Sequence, residues 1–351
     1  MERAIALAWG GWGRVGRNPL VGAVVLSGGA VVGEGFHAEF GGAHGEVAAL
    51  AAAGARARGA DLVVSLEPCA HHGKTPPCTE AIVAAGIARV VFGAHDEDPV
   101  ARGGAEALRH AGVAVEGGLL EAAVRAQNAA FFHRFAGRGR PFVALKLAVS
   151  LDGRIADREG RSRWVSGPEA REYVQWLRAG FDAIAVGVGT VRADDPRLTV
   201  RGTVVPARPP RRVVLDRRAE LPLDAAVVRT ARETPTIALL GRGARPEASA
   251  ALQAAGVEVA TADDAGEALA VLARHDISTL LIEGGGVVAG RMLEAEVVDR
   301  LYLVVAPIWL GEEGVNAFPG LTGSAIEAAV RWRTVERRAL GDDTLLVLDR
   351  L

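Results

Sequence analysis

The sequence predicts two α/β domains, and three observations support this class. The chain has 351 residues, half of them apolar, which is more than a typical domain of roughly 150 residues. Helix-like and strand-like segments alternate along both halves. Forty-four glycines with only 5% aromatic residues are typical of many tight turns and close helix–sheet contacts. We therefore expect two layered α/β domains rather than a sandwich packed around aromatic rings.

The first domain is expected to open with a strand hairpin, because residues 19–33 form the longest uncharged stretch and Ser-Gly-Gly at 27–29 supplies a tight turn. Helices are then predicted over residues 46–58, 79–85, 103–111 and 119–135, and strands over 61–66, 88–93 and 113–116. The short polar stretch 136–141 ends in Pro, as a linker does. We therefore place the two domains at residues 1–137 and 141–351.

The second domain continues the alternation. Its strands are predicted over residues 142–149, 182–186, 212–215, 236–240, 257–261, 279–282 and 300–305, and its helices over 168–177, 245–255, 265–275 and 286–294. Residues 332–348 are predicted to add edge strands.

Charge and cysteine usage limit the class of protein. The chain has 40 basic and 42 acidic residues, a balance that argues against binding to nucleic acid or to an anionic membrane. Its start lacks the basic and long apolar regions of a signal peptide. Two cysteines are too few for a disulfide-stapled secreted scaffold. We expect a cytoplasmic protein with neither a nucleic-acid nor a membrane partner.

Lysine is almost absent, since only Lys74 and Lys146 among the 40 basic residues are not Arg. A compact ammonium differs from the planar guanidinium in its hydrogen bonding and its pKa. These two positions are therefore candidates for sites where an Arg would not serve.

The metal-binding residue types fall in the first domain, which holds both cysteines and seven of the eight histidines. His44 and Glu46, followed by Pro-Cys at 68–69 and by Cys78, resemble the signature of zinc-dependent nucleobase deaminases. One imidazole and two thiolates can hold Zn²⁺ and leave a position for a water of lowered pKa. Glu46 would carry a proton from that water to the leaving ammonia.

Two further points bear on this zinc hypothesis. If His44 and Cys69 open helices, the positive helix ends favour anionic ligands there. The alternatives are a small disulfide between the cysteines, or two inert core thiols.

The surrounding sequence makes the resemblance specific. Between the cysteines stands His-His-Gly-Lys-Thr-Pro-Pro at 71–77, and Asn-Pro-Leu-Val-Gly stands upstream at 18–22. With these segments the first half resembles the deaminase part of the bifunctional deaminase–reductase family of riboflavin biosynthesis. The resemblance implies a cytidine-deaminase-like α/β/α domain that holds one Zn²⁺ per chain. It assigns the zinc ligands to His44, Cys69 and Cys78, the proton donor to Glu46, and the pyrimidine and phosphoribosyl site to Asn18, His37, His71 and Lys74.

The second half carries a strand that runs into a glycine turn and a helix, at residues 280–286. Glycines allow a close backbone approach, and a helix N-terminus attracts phosphate, although such a run is by itself most often a turn. Together with residues 192–201, it resembles the reductase part of the same family. The resemblance implies a dihydrofolate-reductase-like α/β domain that uses NADPH.

This resemblance also implies site residues in the second domain. The cofactor contacts would be Ala148, Trp164, Thr190, Asp194, Gly285, Gly286, Val287, Val288, Ala289, Gly290 and Arg291. The ribose-phosphate substrate would contact Ser162, Arg178, Leu198, Arg201 and Glu283. Arg178 and Arg201 suit a phosphate, although each could instead be a solvated surface Arg.

Two further hypotheses concern the roles of single basic residues. Arg217 follows a predicted strand, and we expect it to meet the 2′-phosphate of NADPH, a group that proteins often bind with Arg. Lys146 stands where the family places a Lys near the substrate, and it could polarise the reducing carbon of the ribose. The alternative for Lys146 is a strand-edge Lys.

The predicted function is therefore a two-step conversion of a pyrimidine ribotide phosphate. Deamination of 2,5-diamino-6-ribosylamino-4(3H)-pyrimidinone 5′-phosphate is followed by reduction of its ribosyl chain to ribityl, and a homo-oligomer through the reductase domain is expected from the family. One alternative is a nucleoside or tRNA deaminase with an unrelated C-terminal accessory domain. The other is an inactive deaminase fold that senses a metabolite, against which the intact Glu46 argues.

Overall fold

The computed structural model describes residues 1–73 and 76–351, and the chain divides into two compact units. The first unit contains Met1–Arg138 and Val204–Arg208, and the second contains Gly139–Thr203 and Pro209–Leu351. Both units are built from strands and helices in alternation, as the sequence predicts. Lys74 lies outside the described residues.

The first unit is built on one mixed sheet. Its strands are β1 (Gly22–Ser27), β2 (Ala30–Phe36), β3 (Asp61–Leu66), β4 (Arg89–Ala94) and β5 (Ala114–Glu116). Its helices are α1 (Glu2–Ala8), α2 (Gly45–Ala53), α3 (Cys78–Ala84), α4 (Gly104–His110), α5 (Glu121–Gln127) and α6 (Ala129–His133).

The strand order is β2-β1-β3-β4-β5, and β1 is antiparallel to both of its neighbours. Strands β3, β4 and β5 are parallel, so their carboxyl ends lie at one edge. The predicted hairpin is confirmed, with Gly28 and Gly29 at φ 56° and 82° in its turn, a backbone region that L side chains rarely adopt. The fully buried Leu62, Val64 and Phe92 place the core along β3 and β4.

Two predicted helices of the first unit are wrong in length. The helix expected over 46–58 ends at Ala53, and a short 3₁₀ turn follows it. The helix expected over 119–135 is broken into α5 and α6 at Asn128. Asn128 stands between them at φ −103° and ψ 25°, and its side chain accepts from Leu20 N at 2.7 Å and donates to Leu20 O at 3.0 Å.

The second unit holds the larger sheet. Its strands are β6 (Phe142–Val149), β7 (Arg154–Ala156), β8 (Ala183–Gly187), β9 (Arg211–Asp216), β10 (Thr236–Leu240), β11 (Glu258–Thr261), β12 (Thr279–Glu283), β13 (Arg300–Val305), β14 (Val315–Asn316), β15 (Trp332–Leu340) and β16 (Asp343–Arg350). Its helices are α7 (Pro168–Ala179), α8 (Val188–Asp194), α9 (Ala226–Arg229), α10 (Pro246–Ala254), α11 (Ala265–Arg274) and α12 (Gly286–Glu294).

The main sheet has the order β11-β10-β9-β8-β12-β6-β13-β16-β15. From β11 to β13 each neighbouring pair is parallel, whereas β16 is antiparallel to β13 and β15 is antiparallel to β16. The prediction of edge strands at 332–348 is therefore half right, because β15 forms the edge and β16 lies inside the sheet. The short helices α8 and α9 were not predicted.

The core of the second unit follows the parallel strands. Leu145, Ile184, Ile237 and Ile282 are fully buried, because both faces of this sheet are covered by helices. Across residues 1–73 and 76–351, no helix combines the length and the apolar content needed to cross a membrane.

Candidate active sites

The three predicted metal ligands meet in the first unit. His44 precedes α2 as its N-cap, Cys78 is the first residue of α3, and Cys69 lies in the loop after β3. His44 Nδ1 lies 3.2 Å from Cys78 Sγ and 3.5 Å from Cys69 Sγ. An N and an S ligand on a tetrahedral Zn²⁺ stand about 3.6 Å apart. The donor set and its spacing therefore fit a zinc ion with three protein ligands.

The cluster corrects two expectations. Cys78, rather than Cys69, opens a helix. Both cysteines are free thiols, so the disulfide alternative is wrong. Hydrogen bonds from the Cys78 thiol and from His44 lower the pKa of Cys69, and the backbone N of Cys78 donates to Cys69 Sγ at 3.4 Å. These donors favour the thiolate, which is the form that binds metal.

Glu46 lies beside this cluster. It is the second residue of α2 and only 3% exposed, and it lines a cavity of about 420 Å³ together with His44 and Cys69. Burial, reinforced by the charge of Cys69, raises the pKa of Glu46 to about 7. A carboxyl group with this pKa can both take and give a proton near neutral pH.

Asn18 and His37 form a pair in the same cavity. His37 Nδ1 lies 3.0 Å from the carbonyl oxygen of Ala43, which can only accept, so Nδ1 carries the hydrogen and Nε2 accepts from Asn18 Nδ2 at 3.1 Å. Burial lowers the pKa of His37, which favours the neutral ring. Asn18, His37 and His71 all line the cavity, whereas the predicted Lys74 lies outside the described residues.

Two acidic residues of this site, Glu67 and Asp96, were not predicted from the sequence. Glu67, directly after β3, is 6% exposed and accepts from Ala105 N at 2.9 Å and from His95 Nδ1 at 2.9 Å. Asp96 follows β4, lines the cavity, and has its pKa raised by burial to about 6. Polar residues that directly follow adjacent parallel strands were the available signal, since such strands end at one edge of a sheet.

The second unit contains a larger cavity of about 1450 Å³. It lies where β6, β8, β9 and β12 end, the usual position of a ligand in an open parallel sheet. The predicted residues that line it are Lys146, Ala148, Ser162, Trp164, Arg178, Thr190, Asp194, Leu198, Arg201, Arg217, Glu283, Gly285, Gly286, Val287, Val288 and Arg291.

The glycine turn after β12 forms one wall of this cavity. Gly284 and Gly285 have φ 72° and 77°, which a residue with a side chain rarely adopts. A Cβ on Gly285 would lie 3.0 Å from Thr190 Oγ1. The turn leads into α12, whose N-terminus suits a phosphate. Ala289 and Gly290 do not line the cavity, since Ala289 is fully buried in the core and Gly290 packs against Pro319.

Three charged residues meet at the floor of the cavity. Arg178 Nε and Nη2 each donate to an oxygen of Glu283 at 2.6 Å, and Lys146 is the register partner of Glu283 across β6 and β12. Burial alone would raise the pKa of Glu283, but the charge and hydrogen bonds of Arg178 hold it below its ordinary value. Burial lowers the pKa of Lys146, against the opposing charge of Glu283.

The remaining predicted residues are placed as follows. Ser162 Oγ lies 3.4 Å from Asp194 Oδ1. Leu198, at φ 50°, is 2% exposed. The backbone N of Arg201 donates to Gln175 Oε1 at 2.9 Å, so the turn that carries Arg201 is tied to α7.

Comparison with known proteins assigns each half of the chain to a protein family. Residues 1–94 match the cytidine and deoxycytidylate deaminase zinc-binding region, and residues 141–346 match the RibD C-terminal domain. These matches confirm the predicted fold class. The second half is therefore not an unrelated accessory domain.

Relatives that match over nearly the whole chain support the same assignment. The riboflavin biosynthesis protein RibD of Actinobacillus pleuropneumoniae is 38% identical over 99% of this chain and 93% of its own length. The RibD of Escherichia coli is 37% identical, with 99% and 98% covered.

Solved structures show the same likeness. A diaminohydroxyphosphoribosylaminopyrimidine deaminase/5-amino-6-(5-phosphoribosylamino)uracil reductase from Thermotoga maritima is 37% identical, with a TM-score of 0.83 and 100% and 97% of the two chains covered. RibD of Acinetobacter baumannii is 35% identical with a TM-score of 0.82, again over 100% and 97% of the chains. The chain belongs to the RibD family of bifunctional riboflavin biosynthesis enzymes, with a zinc-binding deaminase domain and an NADPH-dependent reductase domain.

Proposed function

We propose that this chain catalyses the two reactions after which the Thermotoga maritima deaminase/reductase is named. The first cavity deaminates the diaminopyrimidine ribotide, 2,5-diamino-6-ribosylamino-4(3H)-pyrimidinone 5′-phosphate. The second cavity reduces the ribosyl chain of the product with NADPH, which gives 5-amino-6-ribitylaminouracil 5′-phosphate. The observation that carries the proposal is the buried Glu46 beside the cluster of His44, Cys69 and Cys78.

In the deaminase step, His44, Cys69 and Cys78 would hold the metal. Bound Zn²⁺ supplies a Lewis acid that lowers the pKa of water toward neutrality. The Glu46 carboxyl takes a proton from the attacking water and gives it to the departing amino group, as its pKa near 7 allows. The hydrogen bond of His37 to Ala43 fixes the ring that contacts Asn18, so the amide is held in place to orient the pyrimidine.

In the reductase step, NADPH supplies the hydride. The turn at Gly284 and Gly285 and the N-terminus of α12 would hold the phosphates of the cofactor. Lys146, the register partner of Glu283, would polarise the reacting carbon of the ribose, and Arg201, which also lines the cavity, would contact the phosphate of the substrate.

Replacement of Lys146 by Arg tests the role of the ammonium. A guanidinium is larger and planar, and here it would enter a position next to the paired Arg178 and Glu283. We expect Lys146→Arg and Lys146→Met each to lower the reductase kcat/KM on the order of 100-fold. Steady-state NADPH oxidation with the deaminated substrate measures this. A fully active Lys146→Arg variant would show that only a positive charge is needed.

Replacement of Arg217 by Ala tests cofactor selection. Arg217 directly follows β9 and lines the second cavity, so it would supply charge-assisted hydrogen bonds to the 2′-phosphate. We expect the ratio of the kcat/KM values for NADPH and NADH to fall roughly 10- to 100-fold. The control is Arg274→Ala, since Arg274 is exposed at the end of α11. An unchanged ratio in the Arg217 variant would refute the assignment.

The proposal also covers the domain bounds, the cellular location and the assembly of the enzyme. Residues 1–137 form the deaminase and residues 141–351 the reductase. The enzyme works in the cytoplasm on a small-molecule ribotide. It assembles as a homo-oligomer through the reductase domain.

The function itself is tested with the purified zinc-loaded chain. We expect one ammonia released and one NADPH oxidised per diaminopyrimidine ribotide, and neither product with cytidine or tRNA. Ammonia release from cytidine or tRNA, with none from the ribotide, would support the nucleoside or tRNA deaminase instead.

A further inference from the structure

Two residues, Asp216 and Gly241, hold Arg217 in place at the second cavity. Arg217 directly follows β9, and Gly241 directly follows the neighbouring strand β10. The two strands are parallel, with Asp216 and Leu240 as register partners. Arg217 and Gly241 therefore lie side by side at the carboxyl edge of the sheet, where both line the cavity and where an open parallel sheet usually binds its ligand.

Gly241 supports Arg217 by having no side chain. Its backbone N donates to the carbonyl oxygen of Arg217 at 3.1 Å. A Cβ at Gly241 would lie 2.8 Å from that oxygen and 2.8 Å from Arg217 Cγ, well inside the separation of about 3.5–4.0 Å at which carbon atoms pack best. The φ of Gly241 is not positive, so its own conformation does not require glycine. The close contact with Arg217 does.

Asp216 supports the turn that carries Arg217. It ends β9 and is 1% exposed. Its two carboxylate oxygens accept from the backbone N of Glu220 at 3.0 Å and from that of Leu221 at 2.8 Å. Ala219, in the same turn, has φ 55°, which residues with a side chain rarely adopt. These bonds join the residue before Arg217 to residues after it, so they fix the backbone of the turn.

Asp263 determines the charge beside Arg217. It also lines the cavity, and hydrogen bonds from Arg242, followed by the charges of Arg242 and Arg217, lower the pKa of its carboxyl group. Arg242 N donates to Oδ1 of Asp263 at 2.9 Å, and Arg242 Nη1 donates to Oδ2 at 2.6 Å. Arg242 therefore reduces the repulsion that Asp263 would exert on a phosphate bound by Arg217.

We propose that Asp216 and Gly241 are positioning residues that set the preference of the reductase for NADPH, because they hold Arg217 where it meets the 2′-phosphate of the cofactor. This inference rests on the proposed reductase function and on its contact between Arg217 and that phosphate. NADPH differs from NADH only in the 2′-phosphate. An arginine that is held in advance loses less conformational freedom on binding than a mobile one, so its support contributes to the preference.

The experiment compares Gly241→Ala, Asp216→Asn and Arg217→Ala with the wild-type chain. Calorimetry measures the binding of 2′,5′-ADP and of 5′-AMP, two fragments that differ in the 2′-phosphate. The kcat/KM ratio for NADPH over NADH is measured in parallel with the deaminated ribotide. We expect Gly241→Ala and Asp216→Asn each to lower the preference for 2′,5′-ADP over 5′-AMP about 10-fold, with the loss in the KM for NADPH rather than in kcat.

The two substitutions act in different ways. Gly241→Ala places a methyl group against Arg217. Asp216→Asn keeps the shape of the side chain but turns one acceptor oxygen into an amide donor that faces a backbone N–H. If Gly241→Ala does not fold, Asp216→Asn gives the same readouts.

The matched control is Gly243→Ala. Gly243 lines the same cavity, its φ is not positive, and a Cβ there would have no atom within 4 Å. This variant should keep the wild-type preference for the 2′-phosphate. In a chain that already carries Arg217→Ala, we expect Gly241→Ala to lower the preference no further, because Gly241 acts through Arg217.

The outcomes separate the inference from the function on which it rests. A wild-type preference in either Gly241→Ala or Asp216→Asn, with a lowered preference in Arg217→Ala, overturns the inference for that residue and leaves the proposed function in place. Multiplied losses in the double variant also contradict the inference. An unchanged preference in Arg217→Ala refutes the proposed contact with the 2′-phosphate, and the inference with it.

Discussion

Glu46→Gln is expected to lower the rate of ammonia release by about 10²- to 10⁴-fold, while reduction of the deaminated substrate continues at the wild-type rate. The amide has nearly the shape of the carboxyl group but cannot take a proton from water at neutral pH. The reductase survives because its cavity is lined entirely by residues of the second unit. Coupled ammonia detection and NADPH absorbance measure the two steps separately.

The matched control for this variant is Glu116→Gln. Glu116 ends β5, and its exposed side chain pairs with Arg89 at 3.4 Å, far from any role in proton transfer. Zinc content should be unchanged in both variants, since Glu46 is not a ligand. If Glu46→Gln abolished both activities equally, the two-site account would be wrong.

Cys78→Ser is expected to remove the metal from the chain. A Ser hydroxyl stays protonated at neutral pH and is a poor zinc ligand, whereas Cys78 faces both His44 Nδ1 and Cys69 in the cluster. We expect zinc affinity to fall more than 100-fold, and deamination to disappear with the metal. Metal analysis after dialysis against a chelator gives the stoichiometry, which should be one zinc per wild-type chain and none in the variant.

The internal control is the reductase rate of the same sample. It should match that of the wild-type chain, because Cys78 lies in the first unit. A Cys78→Ser chain that kept a full equivalent of zinc after dialysis would show that Cys78 is not a ligand.

The parts of the fold that the sequence predicted well depend on local signals. The strand hairpin follows from Gly28 and Gly29, and β6 follows from an apolar run, interrupted only by Lys146, that matches a strand covered on both faces. The metal cluster was predictable because the donor types and their spacing are themselves the signature. The hairpin and strand signals lie within a few residues of what they predict, whereas the metal signature spans residues 44–78.

The features that the sequence did not predict depend on partners far along the chain. Asn128, at the junction of α5 and α6, bonds through its side chain to Leu20, 108 positions away. Arg178 pairs with Glu283 across 105 positions, so this ion pair cannot be foreseen from helix α7 alone. The position of β16 in the sheet does not follow chain order either. It is the last strand of the chain, but it lies between β13 and β15 in the sheet.

The acidic residues of the first cavity show the same limit. Glu67 and Asp96 were visible as polar residues after strands, but only the parallel register of β3 and β4 brings them to one edge. Their neighbours then determine their chemistry. Backbone N–H groups hold Glu67, and burial raises the pKa of Asp96.

The order of the two reactions tests the central claim most directly. The zinc-loaded chain is incubated with the diaminopyrimidine ribotide, first without NADPH and then with it, and products are followed by chromatography over time. We predict that the uracil ribotide accumulates with one ammonia per substrate before NADPH is added, and that it then converts to the ribitylamino product. Oxidation of NADPH ahead of ammonia release, or ammonia release that requires NADPH, would contradict two independent sites acting in this order.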